Sequence, residues 1–282
     1  MAAAAIPVGL AVCTRRRAVR PGRLTAASGV GLGVAMIWFS LLVLIPLSAV
    51  VITAAEGGWG AFWRSISNEQ TAAAIRLTVG TAAAVTVVNV VMGTMIAWVL
   101  VRDEFFGKRA LELLIDIPFA LPTIVAGLVL LSLYGSDSPL GVDIANTRSA
   151  VFVAFLFVTL PFIVRMVQPV LAELDPDVEQ AAASLGASRF TTFRRIILPS
   201  LAPAITAGAA LSFARGVSEY GSLVLLSGNL PFRTEVTSVR ILSSVENNNL
   251  AGAASVAAIL LVISIAVMIA VELLQRRMTR RG

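Results

Sequence analysis

The chain predicts an all-α membrane protein with six transmembrane helices and both termini cytoplasmic. Three observations predict it. Of 282 residues, 57% are hydrophobic and only 13% charged, and the mean hydropathy is +0.89. A soluble domain of this size carries ~25% charged residues, so there is too little charge here to cover a water-exposed surface. The apolar residues also form continuous runs long enough for helices rather than the alternation of a barrel strand. Finally, the basic residues fall on alternate sides of those runs.

A spanning helix needs roughly 20 mostly apolar residues. The first such run covers 28–53, through WFSLLVLIPLSAVVI, and the second 77–101. The third covers 113–133, the fourth 149–170, the fifth 202–226 with Arg215 and Glu219 inside it, and the sixth 250–273. With so much backbone in lipid, only bundled helices satisfy the peptide groups. A basic tail over 1–27 precedes the membrane domain of 28–275, and a second basic tail covers 276–282. The N-terminal pattern resembles a signal peptide, but the run is too long for its apolar region and five more follow, so an uncleaved helix is expected.

Fifteen basic residues fall on one side of a six-span model: Arg15, Arg16, Arg17, Arg20, Arg23, Arg102, Lys108, Arg109, Arg189, Arg194, Arg195, Arg276, Arg277, Arg280 and Arg281. The other side and its flanks hold Arg64, Arg76, Arg148, Arg233 and Arg240. By the positive-inside rule the richer side is cytoplasmic. The net charge of +6 therefore reports topology, and no nucleic-acid partner is expected. There are no histidines, and the single cysteine, Cys13, lies in the N-terminal tail. A disulfide, a metal site and catalytic residues are accordingly not expected. No GxxxxGK[ST] phosphate loop is present, so the chain itself is expected to bind no cofactor.

The loop over 175–199 is too well punctuated for a passive connector. Asp175 caps a helix with Pro176 in its first position, and Gly186 ends it. Ser188 caps a second helix running into Ile196. Val178, Ala181, Ala182 and Leu185 recur at helical spacing. Such a helix either enters a groove on a partner protein or lies on the membrane, where Arg189, Arg194 and Arg195 suit anionic lipid.

The spacing Gln180-Ala181-Ala182, three residues, Gly186, nine residues, Ile196, one residue, Leu198-Pro199 resembles the EAA loop of bacterial ABC importer permeases. The resemblance implies the type I importer permease fold and a coupling helix, with Glu179, Gln180, Ala181, Ala182, Gly186, Ile196, Leu198 and Pro199 in the ATPase-coupling loop. One position departs from the pattern: Gln180 stands where the family has glutamate, with Glu179 before it. Further stretches, AIRLTVGTAAAV, AWVLVRDEFFGKRALELLIDIPFALPTIVAG, PFIVRMVQPVLAEL and SFARGVSEYGSLVLLSGNLPFRTEVTSVRI, resemble T-type permeases of sulfate/thiosulfate importers from about residue 28 onward. Molybdate and tungstate permeases share much of the pattern, and TEVTSVRI favours sulfate. The implied assembly contains two ATP-binding subunits that carry the ATP and magnesium, a sister permease of W-type, an extracytoplasmic sulfate-binding protein and membrane lipid. The implied location is the bacterial cytoplasmic (inner) membrane. A self-sufficient secondary transporter is the competing class; it would rely on the few ionisable groups inside the membrane.

Those groups are functional candidates by position alone. Arg215 and Glu219 are four apart and share a face on a continuous helix. They form either a mutual ion pair or a path-lining cation with its neighbour, Arg215 making a weak passing contact with a dianion. Arg165 either snorkels to the interface or lines the inner mouth. Asp116 lies near Pro118 and Pro122, which bend the third run. Asn89 is placed for an interhelical hydrogen bond, and Gly127, Gly208 and Gly216 for close helix contact.

Overall fold

The computed structural model describes residues 25–279, and every regular element among them is helical. The tail charges Arg15 to Arg23, Arg280 and Arg281 lie outside the described residues. The chain divides into two compact units at Ser48/Ala49. The first is helical: Thr25 caps α1 (Ala26–Phe39) by accepting from the Ser28 amide, and a wide turn over Ser40–Leu44 leads into the start of α2 (Ile45–Glu56), whose residues from Ala49 on belong to the second unit. The apolar stretch Ala27–Glu56 is long enough to cross a membrane, and most of its side chains are exposed, with Ala54 buried, as suits a helix solvated by lipid.

The second unit is a bundle around α7 (Arg148–Ala172), whose Ala150, Phe155, Ile163, Val167 and Leu171 are buried. On it pack α4 (Glu69–Arg102) and α10 (Leu198–Val217). Asn68 caps α4, accepting from the Gln70 and Thr71 amides. Glycines set the approach. A β-carbon on Gly93 of α4 would lie 2.8 Å from Ile163 of α7, and one on Gly208 of α10 would lie 3.2 Å from the same residue. Gly216 makes only ordinary contacts. Asn89, fully buried, donates to Thr159 Oγ1 at 2.8 Å and ties α4 to α7, a bond worth about 0.6 kcal/mol inside a membrane.

Two spans differ from the sequence expectation. The third, 113–133, is not one helix: α5 (Lys108–Ala120) and α6 (Thr123–Tyr134) meet at 119°. Leu121 is extended (φ −85°, ψ 135°) ahead of Pro122, as a residue before proline prefers. The fifth, 202–226, ends at Val217, and Gly221–Leu226 forms a separate short helix, α11. α6 and α11 cross at backbone distance. A β-carbon on Gly127 would lie 2.7 Å from the Ser222 carbonyl oxygen, and one on Gly221 2.1 Å from Thr123 Oγ1. Hydropathy reads both breaks as continuous because the residues on either side are apolar.

Two elements had no counterpart in the expectation. α3 (Gly58–Ser67) is amphipathic and carries the stacked Trp59, Phe62 and Trp63. α12 (Thr237–Glu246) packs on α4 and on α13 (Leu250–Thr279). The segment TEVTSVRI docks here. Thr237 donates its amide and hydroxyl to Thr78 Oγ1, both at 2.9 Å, and Gln70 Nε2 donates to Glu235 at 2.7 Å.

Candidate functional site

At the end of the bundle where α4 finishes, residues 175–199 build a projecting surface. Asp175 accepts from the Asp177 amide and opens α8 (Pro176–Ser184). Gly186 ends it at φ +80°, with its amide donating to Ala183 O and the Ala187 amide to Ala182 O. This paired closure needs a left-handed residue, which glycine supplies without strain. Ser188 then accepts from the Thr191 amide and opens α9 (Arg189–Thr192).

From α9 the chain does not return to loop. A wide turn over Phe193–Ile197 leads directly into α10, so Ile196 lies in that turn and Leu198 and Pro199 already belong to the membrane helix. Both wide turns among the described residues end two residues before a proline, Pro46 and Pro199. A proline ring clashes with the carbonyl four residues back, and widening the turn relieves the clash.

The two faces of α8 differ. Ala182 is buried and Glu179 half-buried, one turn apart on the side facing the bundle. Of the residues at helical spacing, Ala182 alone is buried; Val178, Ala181 and Leu185 are exposed, Leu185 at 90%, and Phe190 beyond them is 70% exposed. Gln180 is exposed, and its side chain makes no hydrogen bond among the described residues. Glu179 instead forms an ion pair with Arg102 in the last turn of α4. The Arg102 guanidinium lies 5.6 Å from the Trp98 ring centroid, and Trp98 meets Phe193 edge-on at 5.7 Å.

The ionisable candidates singled out inside the spans, Arg165, Arg215 and Glu219, are each paired. Arg165 Nε donates to Asp116 Oδ1 at 2.8 Å and Nη2 to Oδ2, a bidentate bridge between α7 and α5; Nη1 donates to Gln168 at 2.9 Å. Arg215 Nη2 lies 2.7 Å from Glu219 Oε2. Because α10 ends at Val217, Glu219 stands in the break, not on a shared helical face. Its Oε1 accepts from the Ser222 amide and hydroxyl, each at 2.9 Å, and so caps α11. Its Oε2 faces Arg215 off-line, as a charge contact without an aligned hydrogen bond.

At the opposite end of α4 an open groove of about 950 Å³ runs between α4 and α7. Arg76 and Arg148 line it together with Glu69, Glu235, Thr81 and Phe152. Neither arginine forms an ion pair among the described residues; Arg148 Nε donates to Arg233 O and Arg76 Nε to Ala72 O. In the sequence these two residues register only as topology charges. Their convergence requires the α4–α7 packing, although each stands near the end of a span with no carboxylate in the turn beside it.

Comparison with known proteins settles the class of this architecture. Residues 89–280 match the family model described as "Binding-protein-dependent transport system inner membrane component". The chain belongs to that family. As such it is a multi-pass inner-membrane permease subunit, itself non-catalytic, of an ABC transporter that works with ATPase and binding-protein partners. Among curated members, the sulfate transport system permease protein CysT of Escherichia coli K12 is 38% identical, over 94% of this chain and 98% of that one. The CysT protein of Synechocystis is 42% identical over 86% and 87%. The fold is that of solved permeases. A bacterial alginate ABC transporter superposes with a TM-score of 0.74 at 16% identity, covering 89% of this chain and 94% of that one. The methionine transporter MetNI gives 0.55 at 18% identity, covering 75% and 99%.

Proposed function

We propose that this permease forms one half of the path of an ATP-driven sulfate/thiosulfate importer. A W-type sister permease supplies the other half, two ATP-binding subunits drive the pair, and an extracytoplasmic sulfate-binding protein delivers the anion. The observation that carries this reading is the projecting α8 with its exposed apolar side chains, in a chain that aligns nearly end to end with sulfate permeases. A helix that leaves Leu185 and Phe190 uncovered suits insertion into a groove of a partner. The α8 end and both termini are then cytoplasmic, as the basic residues require.

The groove between α4 and α7 is the outer part of the path, closed by the sister permease. Arg76 and Arg148 attract a dianion, and Glu69 and Glu235 keep that attraction weak. A path must hold its ion loosely enough to release it. Arg165, Arg215 and Glu219 have their charges answered inside the chain, so they shape the path rather than bind the anion.

The test is co-purification of the assembly and uptake of labelled sulfate into proteoliposomes. Uptake that requires ATP, the ATPase subunits and the binding protein is the expected result. Uptake persisting without the ATPase would make the chain a secondary transporter, and uptake of molybdate with none of sulfate would reassign the substrate.

A further inference from the structure

We infer that Arg102 and Glu179 form a transmission joint that fixes the coupling helix to α4, and that Glu179 is the positioning carboxylate of this loop. The inference rests on the transport reading above. It starts from how little else holds α8: Ala182 is the one side chain buried among its described residues. One turn before it, Glu179 makes the only ion pair between this loop and another element among the described residues.

Both charges are placed where the helix ends favour them. Glu179 lies in the first turn of α8, and Arg102 in the last turn of α4. A carboxylate is stabilised at a helix N-terminus and a guanidinium at a C-terminus. The pair is mostly shielded, with side chains 23% and 28% exposed, and Arg102 Nε is buried. Trp98 supports the guanidinium from one side, and Phe193 supports Trp98. One arginine therefore joins three elements: α8 by charge, α4 by covalent chain, and the wide turn entering α10 through Trp98.

Glu179, not Gln180, supplies the carboxylate of this joint; Gln180 beside it is exposed. A displacement of α8 then reaches α4 directly. That helix runs 34 residues through the Asn89–Thr159 contact to Thr78 and Thr237 at the far end.

The experiment uses the full reconstituted assembly with Arg102→Glu, Glu179→Arg and the exchanged double variant. Sulfate uptake and ATP hydrolysed per sulfate are both measured. Each single variant is expected to lower uptake about tenfold, a loss in the range of pairwise coupling energies, and to raise the ATP cost per ion. The double variant is expected to recover both. The stoichiometry is the informative readout, since a merely structural fault lowers the amount of active assembly without uncoupling it. If the single variants fail to assemble, recovery in the exchanged pair still supports the joint, and failure to recover overturns it. Single variants with normal uptake and stoichiometry overturn the joint alone. An inactive wild-type assembly would overturn the transport reading and the joint with it.

Discussion

The two ends of the α10 span use glycine in opposite ways. At the α6–α11 crossing beyond its C-terminal end, Gly127 and Gly221 exist because there is no room: any β-carbon meets the backbone or Thr123. At the loop over 175–199, near its N-terminal end, a β-carbon on Gly186 would meet nothing within 4 Å, and glycine is needed only for φ +80°. The first region is closed packing, with Glu219 capping α11 from a fully buried position. The second is a projecting surface whose shape is set by local backbone rules and whose Leu185 and Phe190 are exposed. Packing defects should unfold the first; surface changes should disconnect the second.

Four experiments break or sharpen that contrast. The largest expected effect is Gly127→Leu, which drives a side chain into the Ser222 backbone. A loss of about 3 kcal/mol is expected, read as loss of inserted protein or a much lower unfolding temperature of the purified chain. Leu185→Asp is next and tests the other region. Uptake should fall at least ~tenfold while stability changes by less than ~0.5 kcal/mol, as for a surface residue. A large stability loss would place Leu185 in packing and erase the contrast.

Gly186→Ala should follow, costing ~1 kcal/mol for a left-handed alanine, with uptake reduced because the Ser188 cap is misdirected. Replacing Asp116 with Asn should cost ~1 kcal/mol or less, since the bridge to Arg165 is more than one-third exposed and screened. Double-mutant cycles with Arg165→Gln in thermal unfolding would show whether the two effects are non-additive, as a direct contact demands.

What was legible in the sequence was whatever depends on neighbours along the chain. Asp175, Gly186 and Ser188 announce their caps within four residues, and the structure places all three as caps. The long spans of α4, α7 and α13 follow from composition. The elbow at Leu121–Pro122 was only half legible. The proline marks a bend, but the 119° turn depends on α11, about 100 residues later, filling the space beside Gly127. Glu179 and Arg102 are 77 residues apart, and no periodicity joins them. The sequence offered a continuous helix for Arg215 and Glu219; the pair exists, but across a break.

Ile163 has a mechanical consequence. Its branched side chain sits between two helices that both lack a β-carbon at the point of contact, Gly93 on one side and Gly208 on the other. Sliding either helix along α7 would drag that branch across a bare main chain. The three helices are therefore expected to move as one unit at this contact.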